Sequence, residues 1–599
     1  MSQGAGGIDR NTIIRWVLIA GVLILAWKFG PSACKNDKGQ ELAAETYENA
    51  PQFVPDALDK PIGDGPNKPA EGELCKIAGV RYDAELSSRG AAITHFRLHD
   101  PQYAVQSLHF PGLPGDMSTT PDHERWRSLR TVFRGEGATD QVKYDRFVWQ
   151  LERIPGDKGC VFTYADDAVR IVKRVTPTER PFELAVETSV QNLTEAPKKH
   201  QLTMGMYAFR RLSDVKGSLG RVSPFQTELS CAKQKDVTRK AKDDFKEGWY
   251  READVNRYAS INNAYFTQAL MLDGGAAAQC NLVAEDWLAP GQAKDDDNAG
   301  TVYHAKLQYP IKELAKSETA TYKVTAYLGP KERQTLARAG GGAPGLHDTI
   351  YLGWFAPVAR VLVTILNFFH DKIAFGNWGL AIILMTLSIR LVLFPLQFKS
   401  IKSSLEMRKL RPELDDLGKK FKDDAQARNL ATMELYKKKG VNPLGGCLPQ
   451  LVQMPVWFAM YTTLQTSVEM YHTKFLWFAD LSAPDKYFIQ PVILGGLMLL
   501  QQRLMPPQPG MDPAQQKMMN YLMPVIFFVM MLFLPAALGL YSMTNSLLFI
   551  TQTLVVERIA AKAGIPAAGA ATKAKDKDKD KDKSADKAKA KAASTEGAS

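Results

Sequence analysis

Residues 351–556 are dominated by apolar runs of membrane-spanning length, and this constrains the fold more than any other feature of the sequence. A helix needs about 20 predominantly apolar residues to cross the hydrocarbon core of a bilayer. Five segments approach that length: 375–397, 447–470, 487–505, 518–534 and 536–556. The fourth is short and ends at Pro535, so the last two are expected to form a tight hairpin. A sixth apolar run, Ile13 to Phe29, has Arg10 and Arg15 at its edge and no convincing small-x-small cleavage site. Residues 1–30 therefore read as an uncleaved signal anchor, with a cleaved signal peptide as the alternative.

Charge sets the direction of these spans. The block 398–440 holds twelve Lys/Arg against seven Asp/Glu, a net of +5, and short basic loops stay in the cytosol. Tyr351 to Phe369 is apolar enough to cross but contains Pro357 and Arg360. If it crossed as well as 375–397, the anchor would point the wrong way or the large polar region would be cytosolic. Residues 351–371 are therefore expected to lie in the outer interface as an amphipathic helix. The result is a multi-domain membrane protein with six transmembrane helices and both termini in the cytosol. Residues 375–558 form its helical core, and 398–440 form a cytosolic helical hairpin interrupted at Pro412 and Gly418. The segment 559–599 is rich in Lys, Asp and Ala, cannot bury a core and is expected to be disordered. It can meet ribosomal RNA or anionic lipid through its lysines.

The outer region, 75–345, reads as all-β, joined to the anchor by a linker at 31–74. Phe182, Leu184, Val186, Thr188 and Val190 alternate with Glu183, Ala185, Glu187 and Ser189, and Tyr322, Val324, Ala326 and Leu328 repeat the pattern. Such alternation marks strands with one buried face, and their number points to a sandwich of two large sheets. Residues 81–99 and 265–273 are weaker strand candidates, and Gly340, Gly341 and Gly342 read as a hinge. Of six cysteines, Cys34, Cys75, Cys160, Cys231, Cys280 and Cys447, none forms a CxxC or zinc-like spacing. A Cys231–Cys280 disulfide and isolated buried thiols are both open readings. Pro31 argues against lipidation of Cys34. No GKS or GKT follows the glycines and no catalytic set stands out, so neither nucleotide chemistry nor an enzyme is expected, and no cofactor or metal is implied.

The informative polar residue is Arg390, inside the apolar run Leu380 to Leu396. A charge at a helix centre costs roughly 2.5–3.5 kcal/mol on insertion scales, and arginine cannot escape by losing its proton. It lies seven residues from the inner end, ~10 Å at 1.5 Å per residue, where snorkelling to the headgroups competes with a wet cavity. Neighbouring segments favour the cavity. Thr386 is one turn away. Gln453, Trp457, Tyr461 and Gln465 step by four along 447–470, and Tyr541, Asn545 and Gln552 step by four and seven along the last span. No Asp or Glu lies deep in any span to neutralise Arg390, so its counter-charge is left to lipid, water or a passing substrate.

The run Lys439-Gly-Val-Asn-Pro-Leu-Gly-Gly-Cys-Leu-Pro449, followed by Gln453-Met454-Pro455, resembles the bacterial YidC branch of the Oxa/YidC/Alb superfamily of membrane insertases. So do Met523-Pro524-Val525 through Tyr541 and Asn545, the Asn377-Trp378-Gly379 turn, and Arg390 before Phe394-Pro395-Leu396. The resemblance implies a five-helix insertase core around a groove open to cytosol and lipid, under a periplasmic β-supersandwich. It implies that Arg390, Thr386, Gln453, Trp457 and Tyr541 line the path of nascent membrane proteins. It further implies partners in the Sec translocon and its accessory subunits, ribosomes and anionic lipids. Insertion and folding of inner-membrane proteins is the function so implied. A small-molecule transporter using the same polar groove is the alternative, although no internal repeat is evident.

Overall fold

The computed structural model describes residues 72–103, 115–119, 126–133, 144, 147–215, 226–246, 248–288, 299–421, 424–441, 448–504 and 518–562. The signal anchor, the linker up to residue 71, residues 442–447 of the 439–449 motif and the Lys-rich tail from 563 onward lie outside them, while the last helix takes in 559–562 of the segment expected to be disordered. Two compact units emerge. One holds the β-rich region through Ala356 together with Thr466–Glu469, and the other holds Pro357–Gln465 and the chain from Met470 onward.

The first unit is built on a nine-stranded antiparallel sheet in the order Asp236–Ala241, Glu228–Lys233, Tyr258–Asn262, Phe266–Leu272, Thr319–Pro330, Glu183–Asn192, Val169–Pro177, Gly159–Ala165 and Gln150–Ile154. A five-stranded sheet packs on it, ordered Tyr250–Val255, Ala278–Trp287, Gly300–Gln308, Leu202–Arg211 and Arg130–Phe133. A three-stranded sheet, Leu74–Gly79, Tyr82–Ser87 and Ala92–Leu98, meets the strands at 159–177. The two alternating stretches read from sequence are neighbours at the centre of the large sheet, with Val186 opposite Val324 and Leu184 opposite Ala326. Phe182, Leu184, Val186, Thr188 and Val190 are all buried, as alternation requires of residues on one face. The weaker candidates also form strands, at 82–87 and 92–98 and at Phe266–Leu272.

Covalent bonds reinforce this layering. Cys231 of the nine-stranded sheet pairs with Cys280 of the five-stranded sheet, Cα atoms 6.1 Å apart. Cys75 of the three-stranded sheet pairs with Cys160 of the nine-stranded sheet at 6.3 Å. The reading of isolated thiols is thus overturned for four cysteines. The Cys75–Cys160 pair had no sequence signal because 85 residues separate its members. Lys173 adds a polar tie among the same three sheets. Its fully buried ammonium donates to the carbonyls of Ala91 (2.8 Å) and Leu129 and to the Thr131 hydroxyl (3.2 Å), which compensates a charge that burial would otherwise penalise heavily. Gly340, Gly341 and Gly342 all take positive φ, the conformation that glycine alone enters freely, and they end the helix α1 (Arg333–Arg338).

The second unit is helical. Helix α2 (Ala356–Lys372) starts five residues later than the 351–371 expectation, because Gly353 at φ 68° turns the chain and Pro357 then occupies the first turn, where its missing N–H costs nothing. Its buried residues Ala359, Leu362, Val363 and Leu366 follow helical spacing, while Val361 and Phe368 stay exposed. Helix α3 (Trp378–Lys409) carries the expected 375–397 span but continues unbroken twelve residues further, through Pro395. The hairpin follows as α4 (Arg411–Lys420) and α5 (Ala425–Lys439). Pro412 does not interrupt α4 but sits in its first turn, and Gly418 lies within it. Asp424 caps α5 by accepting the N–H groups of Gln426 and Ala427, and Gly440 ends it in the left-handed conformation.

Helix α6 (Leu448–Gln465) stops short of residue 470, α7 spans Ile489–Leu504, and a π turn at Met518–Leu522 leads into α8 (Met523–Met531). Helix α9 runs from Ala536 to Lys562. By length and apolarity alone, one described segment, Trp378–Phe398, qualifies as a membrane span. Helices α7 and α8 are shorter than a bilayer crossing, and α6 and α9 are diluted by Gln450, Gln453, Gln465, Asn545 and Gln552. The residues that weaken the span signal are thus largely those that form the polar stripes.

Candidate functional site

Helix α3 packs against α6 and α9, and α9 also packs against α7. One set of ends of these helices is fixed by the loop 471–488. Asp485 accepts the N–H groups of Tyr487 (3.1 Å) and Gln490 (2.7 Å), capping α7, and also receives Trp477 Nε1 at 3.3 Å. Carbonyls of Ala483 and Leu481 accept the N–H groups of Ala536 (2.8 Å) and Ala537 (2.9 Å), supplying acceptors at the start of α9, where helix N–H groups have no partner inside the helix. Gln490 Nε2 donates to the Ala536 carbonyl at 2.9 Å. Two glycines permit the close approach: a Cβ on Gly379 would strike the Phe475 ring, and one on Gly539 the Gln490 amide. The position of α9, and with it Tyr541 and Asn545, follows from this loop.

Arg390 is half-buried on α3 and reaches α9. Its Nε donates to Asn545 Oδ1 at 2.8 Å and an Nη to the Asn545 carbonyl at 3.1 Å, with the guanidinium 5.9 Å from the centre of the Phe549 ring. Among the described residues no carboxylate pairs with it. One turn back on α3, Thr386 is buried, but its hydroxyl donates to the Ile382 carbonyl of its own helix at 2.7 Å. Gln453 and Tyr541 are brought together, the Gln453 amide donating to the Tyr541 hydroxyl at 3.0 Å and joining α6 to α9. Tyr541 is buried, whereas Trp457 is partly exposed and stacks on Tyr461, centroids 5.9 Å apart and planes 15° apart. The five residues singled out from sequence lie on three helices of one unit, but only three of them join helices: Arg390 in the α3–α9 contact and Gln453 with Tyr541 in the α6–α9 contact, while Thr386 bonds to its own helix and Trp457 stacks on Tyr461 of its own. What sequence reasoning missed is Asn545 as the partner of Arg390. The signal was present, since Asn545 is one turn beyond Tyr541 on the same stripe.

Residues 75–365 match the YidC periplasmic domain, and residues 368–563 match the 60Kd inner membrane protein family. The membrane protein insertase YidC of Anaeromyxobacter dehalogenans (strain 2CP-C) is 34% identical over 569 residues, covering 94% of this chain and 100% of that protein. The chain belongs to the YidC family. The membrane protein insertase YidC of Geobacter sulfurreducens is 45% identical over 239 residues, 40% of this chain and 43% of its own. A YidC insertase crystal structure with the first transmembrane domain resolved aligns over 90% of this chain and 99% of its own, at 17% identity and a TM-score of 0.35. The chain combines a β-rich periplasmic domain with a helical inner-membrane core.

Proposed function

We propose that this chain inserts and folds integral membrane proteins in the bacterial inner membrane, using a polar groove bordered by α3, α6 and α9. The observation that carries the reading is Arg390, a permanent charge in an apolar helix, held by a neutral amide rather than by a carboxylate. A site of this kind attracts the acidic part of an incoming chain and shortens the apolar distance its polar tail must cross. The apolar helix of the substrate then moves past Trp457 and Tyr541 into lipid, and burial of its apolar surface drives the step. Gln453 adds to the polar lining, whereas the Thr386 hydroxyl is taken up by its own helix. No nucleotide is needed, and the family is not an enzyme class.

In this reading six helices cross the membrane: the signal anchor 1–30, α3, α6, α7, the segment at 518–534 and α9. Both termini and the 398–440 hairpin face the cytosol, and 75–345 faces the periplasm. The two disulfides support that placement, because such bonds persist in oxidising compartments. The substrates are nascent membrane proteins, received alone or from the Sec translocon and its accessory subunits. The Lys-rich tail meets ribosomes and anionic lipids. The small-molecule transporter alternative finds no support in the family. Crosslinking from Trp457 and Tyr541 to a stalled nascent membrane protein tests the reading; adducts are expected at both positions.

A further inference from the structure

The surroundings of Arg390 are neutral in a specific way. The guanidinium carries five N–H donors. One is used on the Asn545 side-chain oxygen and one on the Asn545 backbone oxygen. The third neighbour, Phe549, is one turn further along α9 and offers a ring face. Among the described residues the other three donors meet no acceptor, and the full positive charge remains. A carboxylate at position 545 would hold the guanidinium in nearly the same place, because Asp and Asn have the same shape. It would also cancel the charge, and in surroundings of low dielectric that pairing is much stronger than in water. An aspartate would aim the arginine and disarm it at once, whereas an asparagine only aims it.

We propose that Asn545 is a positioning and specificity-determining residue, which orients Arg390 toward incoming chains while leaving its charge available to acidic segments. The inference rests on the insertase reading given above, since it assumes that Arg390 receives the substrate. Asn545 itself stays neutral throughout, and no bond is made or broken. An acidic tail takes up the three unused donors, and Asn545 holds the guanidinium from behind. The selectivity for acidic over basic tails then depends on the residue at 545 being uncharged.

The test uses full-length protein in proteoliposomes. Single-span substrates that differ only in an acidic, neutral or basic leading tail are inserted by the wild type, Asn545→Asp, Asn545→Leu, Asn545→Gln and Arg390→Ala. Asn545→Asp is expected to lower insertion of the acidic-tail substrate at least tenfold, close to the Arg390→Ala level, and to leave the basic-tail substrate unchanged or improved. Asn545→Leu, which removes the aim without adding charge, is expected to weaken the acidic-tail substrate, and Asn545→Gln to restore part of the loss. If Asn545→Asp loses all three substrates equally while Asn545→Leu matches the wild type, the role is structural and the inference is overturned. If Asn545→Asp inserts the acidic-tail substrate normally while Arg390→Ala does not, the inference falls and the insertase reading stands. Normal acidic-tail insertion by Arg390→Ala removes the role assigned to that arginine, and the inference with it.

Discussion

Removing either disulfide should measurably loosen the outer domain. The Cys231–Cys280 bond closes a loop of 49 residues and the Cys75–Cys160 bond a loop of 85. Loop-closure entropy scales with the logarithm of these lengths and gives roughly 4 and 4.5 kcal/mol at 25 °C. The loops do not overlap in sequence and end in different sheet pairs, so the two losses should add. For a domain of this size, a loss of ~4 kcal/mol corresponds to a drop of roughly 10 °C in unfolding temperature. The comparison is between oxidised full-length protein in detergent and the paired variants Cys231→Ala/Cys280→Ala and Cys75→Ala/Cys160→Ala, with unfolding followed by protease susceptibility of the outer domain. All four cysteines are buried, so each pair also loses packing, and reduced wild-type protein isolates the crosslink itself. Reduced and oxidised wild type unfolding together, or mass spectrometry finding four free thiols, would refute the reasoning.

Two further outcomes follow from other parts of the structure. Burial pushes the His200 imidazole from its ordinary 6.5 down to about 4, so the unfolded chain takes up a proton that the folded chain refuses. Stability should be complete above pH 6.5 and fall by roughly 3 kcal/mol as pH drops toward 4; His200→Gln should remove that part of the slope, and identical pH slopes for the two proteins would contradict it. Gly379→Ala should destabilise the helical unit by about 1–3 kcal/mol, because the added methyl overlaps the Phe475 ring. A thermal scan in detergent that places the variant at the wild-type temperature would count against the clasp formed by the 471–488 loop.

How much of this was legible in the sequence depends on whether a feature has a local period or a local cost. The strands at 183–192 and 319–330 were legible because one buried face imposes alternation, but their pairing with each other was not. Lys173 defeats the same logic: it occupies a buried position in an alternating strand, and only carbonyls from residues 91 and 129 make that tolerable. Arg390 was conspicuous because a fixed charge in an apolar helix has a cost, and the four-residue step from Gln453 to Trp457 is plain along α6. The partner of Arg390 was harder to find, because any of several polar residues on facing helices would have served. Thr386 shows the limit: a hydroxyl in a helix bonds either outward or back to its own carbonyl ladder, and sequence does not choose between them. Helix ends were missed where proline stands in a first turn, as at Pro357 and Pro412, since the same residue reads as a breaker elsewhere.

The central claim is that the stripe on α6 and α9 is the path taken by foreign chains. The most direct measurement places a photo-reactive residue at position 457, at position 541, or at Val492, which is exposed on α7, and exposes each protein in proteoliposomes to a ribosome-stalled single-span membrane protein. The account predicts strong adducts from 457 and 541, and few from 492. Equal adducts at all three positions, or none at 457 and 541 while the substrate still inserts, would contradict it.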